Sequence, residues 1–501
     1  MPRPAAIEDE VLARWMASDV PGRSLRRTAG ERQWNCEESP AAAYGMPGLQ
    51  HVPGMTIRDL YQRFKTMQGF GVPRRAGWNC HGLPVEIAVE RELGLSGKAD
   101  ISEYGVERFV ARCRESALRH VEAFSALITR MGCWEDLDQA YRTMDPGYIE
   151  SVWWSLRHLY EAGLLSREYR VVPYCPRCQT PLSGYEFRAP GASRKSACTA
   201  VTVRFRLLGL PDGLTPWLHG ADLLVRTEQA WTLVPAAAIA VHPHQVYAVA
   251  RRAGTDDRVV VSEALVARVL GEGWHIVARV TGADLAGARY QPFVMLGDDA
   301  REQHVISGYF VPPRRGTGLV LVVPAFGSDD LRASQNHEIG VPDPIGPDGC
   351  FGKEVPLVGG VFFAAAEPIL IDALADRGLL FGARRQERSQ PHCWRCGAPL
   401  LTRAMSAWYL HTGTVSERLA AGREHVRLTP GRGQTGGSGR SGTAASPAGL
   451  RLWPAGDSGW AVSRSRYWGT PLPLWECEHG HLTCVGSLAE LSELAGLNLI
   501  G

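Results

Sequence analysis

Two Cys-x-x-Cys pairs, Cys175 with Cys178 and Cys393 with Cys396, stand on either side of a change in sequence texture, and this bracket constrains the fold more than any other feature. Between about residues 190 and 385 the chain breaks into short apolar runs bounded by Gly, Asp and Pro: TAVTVRFRLLGL, ADLLVRT, HQVYAVARR, RVVVSEALV, GWHIVARV, RYQPFVML and TGLVLVVPAF. Runs of this kind make strands. Residues 186–388 are therefore expected to form a separate, barrel-like β domain. If it is an insertion, its ends must lie close together, and one tetrahedral Zn²⁺ taking all four thiolates would clip them at the neck. About 214 residues separate the inner cysteines, far from a compact zinc ribbon, so two unrelated turns remain the alternative.

The flanks read as helices. Thr56 to Gly69 carries Ile57, Leu60, Tyr61, Phe64 and Met67 on one face of a 3.6-residue repeat, with Arg58, Arg63 and Lys65 off it. Asp145 followed by Pro146 is a helix start with a capping carboxylate, leading into Ile149, Val152, Trp153, Leu156 and Leu159, and Gly163 closes it. Farther on, the 19 residues from Gly431 to Gly449 include seven Gly and no Val, Ile, Leu, Met or aromatic residue, so they cannot build a core and are expected to be a linker.

The charge of the whole molecule does not choose a partner. Lys plus Arg number 54 against 52 Asp plus Glu, a formal net charge of +2, so a nucleic acid must be held by a local patch. Lysine occurs only at positions 65, 98, 195 and 353, while Gly and Pro number 55 and 33, a bias that points to a GC-rich gene and weakens any argument from Arg excess. Apolar runs reach about six residues, as in Ala236 to Val241, well short of the ~18 that cross a bilayer. With MPRPAAIEDE lacking the apolar core of a signal peptide, a cytoplasmic protein without a membrane partner is expected. In such a reducing compartment, spaced Cys pairs signal metal more often than disulfide.

Chemistry-bearing residues cluster early. Ser39 to Asp59, SPAAAYGMPGLQHVPGMTIRD, runs a Gly and Pro loop into a helix, with His51 just ahead of Pro53. A helix N-terminus attracts phosphate, and a His there can donate to phosphoryl oxygens, although a lone loop His is more often a turn residue. Roughly twenty residues on comes RRAGWNCHGLPVE, placing Trp78, Asn79 and His81 ahead of a new helix.

These segments carry a resemblance. YQRFKTMQGFGVPRRAGWNCHGLPVEIAVERELG resembles the first nucleotide-fold half of class I isoleucyl-tRNA synthetases, whose signature is GWD(T/C)HGLP(I/V)E. VVPYCPRCQTPLSGYE, GTGLVLVVPAFGSDD, PHCWRCGAPLLTRAMSAWYL and SRSRYWGTPLPLW resemble later blocks of that family, in its order. The resemblance spans residues 30 to 495 and implies an α/β fold: a Rossmann-type catalytic domain split by a β-barrel editing insertion. The first half of the catalytic domain is then 1–185, the insertion 186–388, and the return with a zinc knuckle and part of the second half 389–501.

The same resemblance implies ATP with Mg²⁺, isoleucine and tRNA(Ile) as substrates and partners, a monomer, and a structural Zn²⁺ on Cys175, Cys178, Cys393 and Cys396. His51 matches the last His of the family's His-x-Gly-His tetrad and is the expected catalytic residue. ATP-binding positions are Gly45, Gly48, Gln50 and His51. Gly48 replaces the first His, and Gln50 stands where Gly or His is usual. Pro40, Asn79 and Trp468 match the amino-acid pocket. Asn79 replaces the Asp that pairs with the substrate ammonium, which predicts a loss of roughly 1–3 kcal/mol in binding.

The expected editing residues are Thr227 and Asp330. Two of three consecutive threonines have become Glu228 and Gln229, and the His nine residues before Asp330 is Leu321, so weak or absent editing is expected. The family's Lys-Met-Ser-Lys-Ser loop has no counterpart in these 501 residues. The linker falls where the family has a GRFG-x-WL segment, which suggests a local frameshift over 425–458 and a premature end. Three rivals follow: a non-catalytic paralogue that binds tRNA or adenylate, a stand-alone aminoacyl hydrolase, and a ligase for another amino acid.

Overall fold

The computed structural model describes residues 4–36, 39–95, 97–188, 191–209, 216–296, 303–418, 421 and 459–498. Residues 422–458, which hold most of the expected linker, lie outside the described residues. Two compact units emerge, 1–167 with 408–501, and 168–407. Both cysteine pairs therefore belong to the second unit.

The first unit opens with helices α1 (Pro4–Ala17) and α2 (Val20–Arg27). Its sheet has three parallel strands in the order β1 (Ala41–Ala42), β2 (Arg75–Asn79), β3 (Asp136–Arg142), with Ala42 opposite Asn79 and Trp78 opposite Arg142. Parallel neighbours require crossovers. Helix α3 (Val52–Met67) links β1 to β2, and α4 (Leu83–Leu93), α5 (Lys98–Tyr104) and α6 (Val106–Arg130) lie between β2 and β3. Alternate β2 residues Ala76 and Trp78 are buried, joined in one core by Val85, Val89, Phe109, Phe124 and Ile128.

Helix α3 forms as the periodicity predicts, starting four residues earlier with Pro53 in its first turn, where a missing N–H costs nothing. Its burial differs from that of an ordinary amphipathic helix. Ile57, Leu60, Tyr61, Phe64 and Met67 are all exposed, while Met55 and Gln62 are the buried positions. Helix α7 (Pro146–Glu161) follows the expected pattern, burying Trp153 and Leu156. Its Asp145 carboxylate, however, accepts the N–H of Arg142 at 3.0 Å, behind the helix, and makes no cap on the first turn.

The second unit begins within β4 (Leu165–Cys175), which pairs with β5 (Thr180–Pro181). It then builds a ten-stranded mixed sheet from β6 (Ser193–Gly209), β7 (Asp222–Thr227), β8 (Ala238–Val241), β9 (Val246–Arg252), β10 (Arg258–Ser262), β11 (Trp274–Thr281), β12 (Arg289–Tyr290), β13 (Gln303–Ser307), β14 (Leu319–Val322) and β15 (Leu380–Pro391). The order is β11-β9-β10-β7-β6-β12-β13-β8-β14, with β15 on β6; β10–β7 and β13–β8 are parallel. Among the described residues β14 and β11 are not paired, so hydrogen bonding leaves the path open and barrel closure is not part of the described pairing. Residues Val201, Phe205, Leu223, Trp231, Val260 and Tyr290 share its core. Strands β6 and β15 run together from Val203 opposite Leu380 to Ser193 opposite Pro391, which brings the two ends of the insertion side by side. No helix among the described residues is long and apolar enough to cross a membrane.

Candidate active site and four-cysteine cluster

Ligands of parallel sheets bind outside the carboxyl ends of the strands. Here those ends are Ala42, Asn79 and Arg142, bound to one another by Ala43 N–H to Asn79 O (2.9 Å) and Thr143 N–H to Trp78 O (3.0 Å). The loop leaving β1 turns through a 3-10 segment at Leu49–His51 straight into α3, so His51 sits at the N-terminus of that helix. Its Nδ1 accepts the N–H of Gly48 at 3.0 Å, and its ring meets Phe124 edge-on at 4.9 Å. The same Nδ1 is 3.2 Å from the Gly48 carbonyl oxygen; in the tautomer that accepts from the Gly48 N–H the proton is on Nε2, which is then a donor. A donor and the positive end of a helix at one point suit phosphate oxygens.

A cavity of about 270 Å³ brings Pro40, Gln50 and His51 together with Arg58, Trp78 and Tyr141. Gly45, Gly48, Asn79 and Trp468 do not line it. The Gln50 amide lies against Gly48: a Cβ there would stand 2.4 Å from Gln50 Oε1. Asn79 is exposed at the end of β2, and its Oδ1 accepts the N–H of His81 at 3.4 Å.

Trp468 is 4% exposed and is held by the segment after β2. Its Nε1–H donates to Cys80 O (2.6 Å), its backbone N–H donates to Glu86 Oε1 (2.5 Å), and its carbonyl accepts the N–H of Gly82 (3.3 Å). Gly82 is at φ +118°, a conformation only glycine adopts freely. The His81 ring contacts Trp468 at 5.0 Å and its Nδ1 is 3.3 Å from Thr470 Oγ1. Burial, helped by Arg114, pushes the His81 pKa down to about 4, so its imidazole is neutral. Burial raises the Glu86 pKa, opposed by the N–H of Trp468. His81, which the sequence offers together with Trp78 and Asn79, and Glu86, which chemistry-based reading missed, both contact Trp468; Glu86 is signalled only by its place inside the GWNCHGLPVE block.

In the second unit, Thr227 and Asp330 are spent on local bonds. Thr227 Oγ1 is 2.8 Å from Thr232 Oγ1 and accepts the N–H of Gln229 at 3.2 Å. Asp330 Oδ2 accepts the N–H of Val323 at 3.1 Å, and burial lifts its pKa to about 6. Leu321 is buried on β14 opposite Ile239. Nearby, Trp231 packs edge-on against Phe326 (5.2 Å) and Phe363 (5.4 Å). A larger cavity of about 730 Å³, lined by residues such as Ala236, Met295, His304 and His337, includes neither Thr227 nor Asp330.

The cysteine pairs do converge. The Sγ atoms of Cys175, Cys178, Cys393 and Cys396 lie within 4.8 Å of one another, and Cys175 and Cys396 are 3.5 Å apart. All four are free thiols. Tetrahedral Zn–S bonds of about 2.3 Å place sulfurs roughly 3.8 Å apart, so the donor set fits a structural zinc ion. With no ion between them the four thiols hydrogen-bond one another, which lowers the pKa values of Cys393 and Cys396 and raises those of Cys175 and Cys178. Gly397, at φ +75°, makes the second knuckle's turn, and the Cys393 N–H bonds Ala398 O at 2.8 Å.

Comparison with known proteins places these features in one frame. The profile for class I tRNA synthetases (I, L, M and V) matches residues 10–496. The chain is similar to the isoleucine–tRNA ligase of Streptomyces avermitilis, 46% identical over 494 residues, covering 98% of this chain and 45% of the relative. It is similar also to the isoleucine–tRNA ligases of Thermobifida fusca, 45% identical over 497 residues (99% and 45% covered), and Thermus thermophilus, 37% identical over 496 residues (98% and 45% covered). The chain thus spans about half the length of the curated relatives it matches.

Proposed function

We propose, since the chain belongs to the class I tRNA synthetases of the isoleucine, leucine, methionine and valine group, that it carries the amino-acid-activating chemistry of an isoleucine–tRNA ligase. The reaction is attack of the isoleucine carboxylate on the α-phosphorus of ATP, with loss of pyrophosphate, followed by transfer of the aminoacyl group to tRNA(Ile). Little covalent work falls to the protein. Its task is to position reactants and stabilise charge on phosphate oxygens. The observation that most supports this reading is His51 at the N-terminus of the helix that follows the first strand of a parallel sheet.

In this reading Gly45, Gly48 and Gln50 line the path of ATP, whose Mg²⁺ arrives with the nucleotide as substrate. Pro40, Asn79 and Trp468 surround the amino acid. Asn79 offers the substrate ammonium a neutral acceptor in place of a carboxylate. A zinc ion on the four cysteines would fix the neck of the insertion and take no part in the reaction. The insertion would be an editing domain of low activity, because Thr227 and Asp330 are engaged locally and Leu321 and Phe326 make the vicinity apolar. The setting would be the cytoplasm, and the working form a monomer.

A second reading, a paralogue that binds tRNA or adenylate without completing the reaction, is favoured by Asn79 and by the Gln50 amide folded over Gly48. Isoleucine-dependent ATP–pyrophosphate exchange separates the two. Exchange above the valine and leucine backgrounds supports the ligase, and none with any of the three refutes it.

A further inference from the structure

A single carboxylate bridges the two cysteine pairs. Glu186 lies on α8 (Gly184–Phe187), a short helix that follows the first pair. Its Oε2 accepts the backbone N–H of Ser183 at 2.8 Å and the Ser183 hydroxyl at 3.0 Å, which fixes the carboxylate on the side of Cys175 and Cys178. Its Oε1 accepts the Nε1–H of Trp394 at 3.2 Å and the guanidinium of Arg395. Trp394 and Arg395 are the two residues that lie between Cys393 and Cys396. The ion pair is well shielded from water, with 5% of the Arg395 side chain and 19% of the Glu186 side chain exposed. Beside it Leu182, Phe187, Ala398 and Leu400 pack with Cys175, Cys178 and Cys393 in one small apolar cluster.

Such a clasp bears on how tightly a metal is held rather than on which atoms hold it. Without it, the turn carrying Cys393 and Cys396 would have to be ordered against the first pair as the ion binds, and order imposed beforehand removes that cost from binding. Groups that orient ligands from outside the coordination sphere are worth roughly 10- to 100-fold in metal affinity. The charges agree with this role: Arg395 neutralises Glu186, so the carboxylate adds no net charge beside a site that four thiolates and one dication leave anionic. We propose that Glu186 is a positioning residue of the four-cysteine site, which through Trp394 and Arg395 holds Cys393 and Cys396 facing Cys175 and Cys178 and so sets the affinity for zinc. The proposal rests on the reading of the four thiols as a zinc site, and the two fail differently: a chain that binds no zinc refutes that reading, whereas zinc bound without help from Glu186 refutes the proposal alone.

The test titrates the metal-free 501-residue chain with Zn²⁺ in competition with a chromophoric chelator, and with Co²⁺ to read the sulfur-to-metal charge-transfer band. Glu186→Ala should bind zinc about 10- to 100-fold more weakly than the unsubstituted chain, with the cobalt band at an unchanged wavelength because the same four sulfurs remain the ligands. Glu186→Gln keeps an oxygen for the Trp394 N–H, and its affinity should fall between those of Glu186→Ala and the unsubstituted chain. Asp257→Ala, in the turn between β9 and β10, removes a partner of Arg204 at 2.7 Å and should leave zinc affinity unchanged, which separates positioning from a general loss of stability. Equal zinc affinity of Glu186→Ala and the unsubstituted chain overturns the proposal. So does an equal weakening by Asp257→Ala, or a shifted cobalt band in Glu186→Ala, which would mean that the substitution changes the ligands themselves. An unsubstituted chain that takes up no zinc overturns both the proposal and the reading of the cluster beneath it.

Discussion

The carboxylate of Glu86 accepts the backbone N–H of Trp468 at 2.5 Å, joining two residues 382 positions apart across the whole insertion. Glu86 is only 4% exposed. Removing the acceptor leaves a buried N–H unpaired, which costs about 1–3 kcal/mol. Glu86→Ala should therefore lower the unfolding free energy of the first unit by that amount, while Glu86→Gln, which keeps an acceptor, should lose less than half of it. Denaturant titration followed by tryptophan fluorescence checks the order, and equal losses would show that the hydrogen bond contributes nothing.

The four-cysteine cluster should bind one equivalent of Zn²⁺. Metal analysis of the purified chain should return one zinc, and Cys396→Ser should abolish it. Since such an ion ties the two ends of β6 and β15, chelation should lower the melting temperature by roughly 5 °C or more. A melting curve indifferent to chelation in a zinc-containing preparation would mean that the ion is not structural.

Asp330 gives a pH signature with a definite sign. Its folded pKa of about 6 lies above the ordinary carboxylate value, so between about 4 and 6 the folded chain holds a proton that the unfolded chain has lost. The contribution of Asp330 to stability is therefore fully present below pH ~4 and is lost as pH rises through ~6. The difference in stability between the unsubstituted chain and Asp330→Asn should grow in the substituted chain's favour across that window and flatten above it. A difference constant from pH 4 to 7 would place the carboxylate in water.

Editing should be weak. Valyl-tRNA(Ile) presented to the chain should deacylate at close to the uncatalysed rate, because the hydroxyl of Thr227 and the carboxylate of Asp330 are already bonded within the fold. Rapid deacylation abolished by Asp330→Ala would contradict this.

Asn79 should limit affinity for the amino acid. Asn79→Asp restores a carboxylate at the end of β2 and should tighten isoleucine binding by roughly tenfold or more, leaving ATP binding unchanged. Equal effects on both ligands would place the side chain outside the amino-acid site.

Much of this was legible in the sequence because the relevant signals are local. Asp145–Pro146 fixed the start of α7, and alternating runs marked β6, β7, β9, β10, β11 and β14. Two short cysteine motifs announced a neck that β6 and β15 do close. What stayed hidden depends on neighbours remote in sequence. The spacing of Ile57, Leu60, Tyr61, Phe64 and Met67 reveals an apolar helix face but not whether anything covers it. Strand β13 was missed because QHVIS shows no clear alternation, and its pairing with β8 is decided in the sheet. The clasp of Glu86 on Trp468 has no local signature at all. Retained residue type likewise did not reveal that Thr227 and Asp330 turn to backbone partners.

The crevice at the carboxyl ends of β1 and β2 is tested most directly by calorimetric titration of the full chain with a non-hydrolysable isoleucyl-sulfamoyl adenosine. One site is expected, weakened at least tenfold by His51→Ala, with a valyl analogue bound roughly 10- to 200-fold more weakly, the range one methylene supports. No binding, or equal binding of the two analogues unaffected by His51→Ala, would contradict it.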